Sequence, residues 1–139
     1  MDYFFYKNGS LYAEDVDVSV LAQKYGTPLY VYSKRTIVEH LKKIQSAFSQ
    51  FDTLVCYSVK ANSNISILKI MAKEGAGFDI VSGGELYRVL KSGGDSKKIV
   101  YAGVGKTEKE IAYALKTGIL MFNVESVEEL QRINKTAKK

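Results

Sequence analysis

Hydrophobic positions along the chain change their period several times, and each change marks an element. Residues Tyr3 to Tyr6 are aromatic, Asn8-Gly9 supplies a type I′ turn, and Ser10 to Ala13 returns, which predicts a β-hairpin. A short helix is expected from about Val18 to Tyr25, with Gly26 at its C′ position and Pro28 just beyond. Leu29-Tyr30-Val31-Tyr32 reads as a short strand. A longer helix follows, with Ser33 as its N-cap and Ile37, Leu41, Ile44 and Phe48 on one face.

After Asp52 the pattern becomes regular. Strand-like runs begin near Leu54, Phe78, Ile99 and Leu120, at intervals of 24, 21 and 21 residues, and each leads into a helical pattern. The first of these strands is expected to reach Val59. Three of the helices open with Ser82-x-x-Glu85, Thr107-x-x-Glu110 and Ser126-x-x-Glu129, all capping boxes in which hydroxyl and carboxylate satisfy free backbone N–H groups. Repeating strand–loop–helix units predict an α/β fold with a parallel sheet. A period near twenty residues suits a (β/α)8 TIM barrel, and a four-stranded doubly wound sheet is the alternative. Four units make only the first half of a barrel, with parallel edges left unpaired. A lone hairpin is also marginal. The expectation is therefore a piece of a longer chain. Residues 1–30 would form a hairpin and short helix, and residues 31–139 the first half of a barrel.

Composition narrows the class. The chain has 139 residues, enough for one compact domain. It is 46% hydrophobic and 25% charged, ordinary for a soluble globular protein. The net charge of +5 is spread among acidic residues, as in Lys106-Thr107-Glu108-Lys109-Glu110, which reads as solvated helix surface. No basic stripe interleaved with aromatics appears, so nucleic acid is not an expected partner. No apolar run approaches the roughly 20 residues of a membrane span. The start Met1-Asp2-Tyr3-Phe4 lacks the features of a signal peptide, and a cytoplasmic protein is expected. On that expectation the sequons at Asn8, Asn64 and Asn134 carry no glycan.

Among candidate chemical groups, Lys60 stands out. It follows an apolar run that a parallel sheet would bury, at the strand end where barrel active sites lie. A semi-buried lysine in such a place supplies the amine that Schiff-base chemistry needs. The same local pattern also fits a surface lysine in a βα loop. Gly105-Lys106-Thr107 resembles the end of a phosphate-binding loop, but Val100 stands where that motif needs glycine. His40 has no second ligand type in register, which argues against a metal. Cys56, the single cysteine, reads as a small buried apolar residue.

Longer blocks point further. Cys56-Tyr57-Ser58-Val59-Lys60-Ala61-Asn62 resembles the cofactor-lysine motif of the pyridoxal-phosphate (PLP) decarboxylases of the diaminopimelate type and their ornithine and arginine relatives. Gly77 to Leu86, Tyr101 to Thr107 and Phe122 to Ser126 resemble the same family in the same order, and Gly26 to Tyr32 matches its diaminopimelate branch. The resemblance implies a barrel of the alanine-racemase type and a β-rich domain that the N-terminal hairpin joins. It implies a homodimer that decarboxylates meso-2,6-diaminopimelate to L-lysine. By the same resemblance Lys60 would carry PLP as a Schiff base. Asp79 would lie beside the cofactor and Ser58 would line its pocket; Glu85 is a further cofactor candidate, although its capping role already explains it. The family's ring-stacking histidine, phosphate loop, pyridine-nitrogen partner and partner-subunit residues come later in its chains, so these 139 residues alone are expected to be inactive. An ornithine- or arginine-type decarboxylase, a non-catalytic PLP-binding barrel and a nucleotide-binding α/β domain are the competing readings.

Overall fold

The structure, a computed structural model, describes residues 2–138. It divides into two compact units, Met1–Lys43 and Ile44–Lys139. This division falls within a helix, further along the chain than the 30/31 boundary expected from sequence.

In the first unit, β1 (Phe4–Lys7) and β2 (Ser10–Ala13) form the expected antiparallel hairpin. Asn8 and Gly9 both take positive φ, 50° and 80°, as a type I′ turn requires. Phe5 stacks on Tyr12, its cross-strand partner, at 5.8 Å. A third strand, β3 (Val16–Asp17), pairs with β2, so the element is a meander and not a simple hairpin. Helix α1 (Val18–Tyr25) follows directly, with Asp17 as N-cap accepting from the Ser19 N–H at 2.8 Å. The Gly26 N–H closes it on the Ala22 carbonyl, as the stop pattern predicted.

Residues 29–32 are not a strand. The segment pairs with neither sheet of the described residues, and Tyr30 is 85% exposed. Alternating side chains make a strand only where a neighbour takes the backbone hydrogen bonds. Helix α2 (Lys34–Ala47) starts at Ser33, whose hydroxyl accepts from the Thr36 N–H at 3.0 Å. That hydroxyl donates in turn to Glu14, which also accepts from the Arg35 N–H. Of the four apolar residues expected on one face of α2, Leu41 is buried, whereas Ile44 and Phe48 are 48% and 50% exposed.

The second unit is a four-stranded parallel sheet in the order β4 (Cys56–Ser58), β5 (Gly77–Ile80), β6 (Ile99–Tyr101) and β7 (Met121–Phe122). The connecting helices are α3 (Ile65–Lys73), α4 (Gly83–Lys91) and α5 (Glu108–Thr117), and α6 (Val127–Ala137) follows β7. The α/β repeat expected from periodicity is therefore present. Strand β4 is shorter than the predicted Leu54–Val59 run. Its pairing with β5 covers only Cys56 to Ser58, after which the chain enters a 3-10 turn, Val59–Ala61.

Register sorts the strand residues onto two faces. Phe78, Ile80, Ile99 and Tyr101 are fully buried, in one core with Leu68 of α3, Leu86 and Val89 of α4 and Ala114 of α5. Each such side chain contributes about 1.5–3 kcal/mol by leaving water. On the opposite face Ser58, Asp79, Val100 and Met121 lie in one row, each in register with the next. The helices thus cover one face, and the row that begins with Ser58 and Asp79 lies on the other.

The capping devices differ from one another. Thr107 and Glu110 form a complete capping box. Ser82 caps the Glu85 N–H, but the Glu85 carboxylate accepts from Val81, one residue earlier than the box predicts. Ser126 caps the Glu129 N–H, while the Glu129 carboxylate binds Lys106.

Candidate active site

The site expected at the end of β4 is built from two adjacent strands. Ser58 and Asp79 are register partners, and the Ser58 hydroxyl donates to Asp79 Oδ2 at 3.0 Å. Asp79 Oδ1 is buried and has no hydrogen-bond partner among the described residues. A buried carboxylate oxygen in that state is costly until a donor or cation reaches it. On the same face of β4, burial and then the Asp79 charge push the Cys56 thiol up.

Lys60 stands two residues past Ser58, in the 3-10 turn. Val59 is fully buried and anchors the turn, and the Tyr57 hydroxyl donates to the Asn62 carbonyl at 3.2 Å across it. Lys60 itself is exposed, not semi-buried as expected, because the strand ends before it and Val59 takes the inward position. Glu85 lies at the start of α4 and binds the Val81 N–H at 2.8 Å, at the end of β5. Ser58 and Asp79 are thus brought into contact, while Lys60 follows β4 in the 3-10 turn and Glu85 follows β5 in the first turn of α4.

One residue escaped the charge pattern. Lys106, read from sequence as solvated surface, is 2% exposed. Its ammonium donates to the Gly103 carbonyl at 2.6 Å, the Asn123 carbonyl at 2.9 Å and Glu129 Oε1 at 2.6 Å. It also lies 5.6 Å from the Tyr101 ring centroid. An ammonium has three donors, and all three are taken, which leaves none for a nucleotide phosphate. The available signal was position: Lys106 precedes the Thr107 N-cap, so it belongs to the loop and not to the helix.

Glu110 extends this polar edge. It accepts from the Gly83 N–H at 2.8 Å and from the N–H and hydroxyl of Thr107. The Gly83 N–H is the main reason its carboxyl lies below the usual range. The phenol of Tyr101 is pushed far up by burial and then by the Glu110 charge. A groove of about 810 Å³ along α5 and α6, lined by Thr107, Ala112, Leu115 and Thr136 among others, includes none of the four expected site residues.

The donor set fits pyridoxal. A primary amine at a strand end matches an aldehyde, and a buried carboxylate oxygen with open capacity matches a cationic or N–H group.

Residues 34–139 match the model of the pyridoxal-dependent decarboxylases, pyridoxal binding domain. The chain belongs to this family, as the motif blocks implied. It is 54% identical over 137 residues to the diaminopimelate decarboxylase of Haemophilus influenzae, covering 99% of this chain and 33% of that protein. It is also 54% identical to that of Vibrio cholerae, again over 99% of this chain and 33% of the other. The crystal structure of diaminopimelate decarboxylase from M. jannaschii in complex with L-lysine superposes with a TM-score of 0.94 at 42% identity, covering 99% of this chain and 33% of that one. The chain spans about a third of the length of the relatives it matches. No described helix is long and apolar enough to cross a membrane.

Proposed function

We propose that these residues are the cofactor-lysine part of a decarboxylase that converts meso-2,6-diaminopimelate to L-lysine and carbon dioxide. The observation that carries this reading is the Ser58–Asp79 pair, whose buried Asp79 Oδ1 has no partner among the described residues, with Ser58 ending β4 two residues before Lys60. The identity to diaminopimelate decarboxylases along nearly the whole chain supports the choice of substrate. PLP, when bound, would supply a sink for the electron pair left by decarboxylation. Lys60, a primary amine at a strand end, would hold PLP covalently. Asp79 offers its open oxygen as acceptor and charge partner, and Ser58 fixes the Asp79 carboxylate through Oδ2. Glu85, bound to the Val81 N–H, shapes the pocket wall at the end of β5.

In this reading the four βα units are half of a (β/α)8 barrel, and residues 1–30 pack with a β-rich domain. The active enzyme is a cytoplasmic homodimer. Lys60→Ala in the full-length polypeptide abolishes carbon dioxide release from diaminopimelate. It also abolishes borohydride trapping of the cofactor, read as a mass shift on the Lys60 peptide. Undiminished trapping in that variant refutes the assignment, and trapping without carbon dioxide release in the parent leaves a non-catalytic PLP-binding barrel. The 139 residues alone show no turnover.

A further inference from the structure

Lys106 is fully engaged in the interior, and the proposed chemistry gives it no role. A buried ion pair is a weak source of stability, since apolar side chains of similar size often serve as well or better. Its geometry suggests a different purpose. The three acceptors come from three places: the loop after β6 (Gly103), the turn after β7 (Asn123) and the first turn of α6 (Glu129). One ammonium therefore fastens two successive strand-end loops, at the C-terminal edge of the sheet, where Lys60 follows β4.

The fastened loop rests on the strand that bears Asp79. Gly103 has φ +91°, and a Cβ there would lie 3.3 Å from Val81 Cβ. The neighbouring Ala102 N–H donates to the Ile80 carbonyl at 2.8 Å. Ile80 and Val81 directly follow Asp79 in the chain. A continuous path of contacts thus runs from Lys106 through Gly103 to the end of β5. Glu110 adds a parallel tie, since it joins Gly83 to the Thr107 cap.

We propose that Lys106 is a positioning residue of the cofactor site, which holds the loops after β6 and β7 so that the end of β5 presents Asp79 correctly. This rests on the PLP reading above. It is tested in the full-length polypeptide by spectroscopic titration with PLP, alongside thermal melting of the cofactor-free protein. Lys106→Met lowers PLP affinity by about tenfold or more, through loss of charge-assisted hydrogen bonds. The double variant Lys106→Met with Glu129→Leu replaces the ion pair by apolar groups. It recovers the melting temperature, yet PLP affinity stays about fivefold or more below the parent, because the Gly103 and Asn123 carbonyls still lack their shared donor. A purely structural role predicts that affinity recovers together with the melting temperature, and that outcome overturns the proposal. If neither of these variants folds, Glu129→Gln keeps Lys106 and both carbonyl bonds. Its PLP affinity is expected to stay within about twofold of the parent, because the tie to Gly103 is intact, and a loss of tenfold or more there overturns the proposal by placing the effect on the Glu129 charge pair and not on the loop tie. A parent that binds no PLP overturns the functional reading itself, whereas a parent that binds PLP no better than folded Lys106→Met overturns only the role of Lys106.

Discussion

Asp79 combines a satisfied oxygen with an unsatisfied one, and the two have different consequences. Oδ2 is held by Ser58, while Oδ1 is buried without a donor among the described residues. Asp79→Asn keeps the shape and removes the charge. It is expected to lower PLP affinity roughly 10- to 100-fold, equivalent to about 1.5–3 kcal/mol for a hydrogen bond to a charged group. Fluorescence titration of the full-length polypeptide measures this, and an affinity equal to the parent's removes Asp79 from the site. Lys60 and Asp79 could be picked out as candidates from sequence because their motif blocks are local. The burial of Lys106 was not, since its partners Asn123 and Glu129 lie 17 and 23 residues away and charge patterning sees only neighbours. The exposure of Lys60 was equally hidden, because it depends on where β4 stops pairing with β5.

At the scale of elements, helices were more legible than strands. Helix α1 falls at the predicted residues because its cap and stop signals are contiguous. Strand limits depend on neighbours, so residues 29–32 stay outside both sheets and β4 keeps only three residues. Three similar cap sequences likewise gave three arrangements, since each carboxylate bonds to whatever donor the preceding loop presents. Close strand packing has its own requirement at Gly77, where a Cβ would lie 2.6 Å from the Lys98 carbonyl oxygen and 2.8 Å from Cys56 Sγ. Gly77→Ala is therefore expected to destabilise the second unit by about 1–3 kcal/mol, as overpacking does. Urea denaturation checks this, and an unchanged midpoint would show that β5 and β6 separate freely.

For the molecule as a whole, acid stability follows from its anchored carboxylates. Glu110 is held below its ordinary value of 4.5, first by the Gly83 N–H. Glu14 is held below the same value, first by the Arg35 N–H and then by the Ser33 hydroxyl. Both groups have a folded value depressed below the unfolded one, so their contribution is complete above about pH 4.5 and is lost as pH falls through the folded values. The urea midpoint is expected to fall below that pH, and Glu110→Gln is expected to flatten part of the slope. A slope identical to the parent's would mean that Glu110 is not anchored in solution. The sequence alone determined the order of α/β units, the family and the identity of the candidate cofactor lysine. Those properties reside in local periodicity and contiguous motifs. Only tertiary structure decided that Ser58 meets Asp79, 21 residues away, and that Lys106 is buried among two carbonyls and Glu129. Such pairings are set by strand register and loop closure, which bring together residues that no local pattern relates.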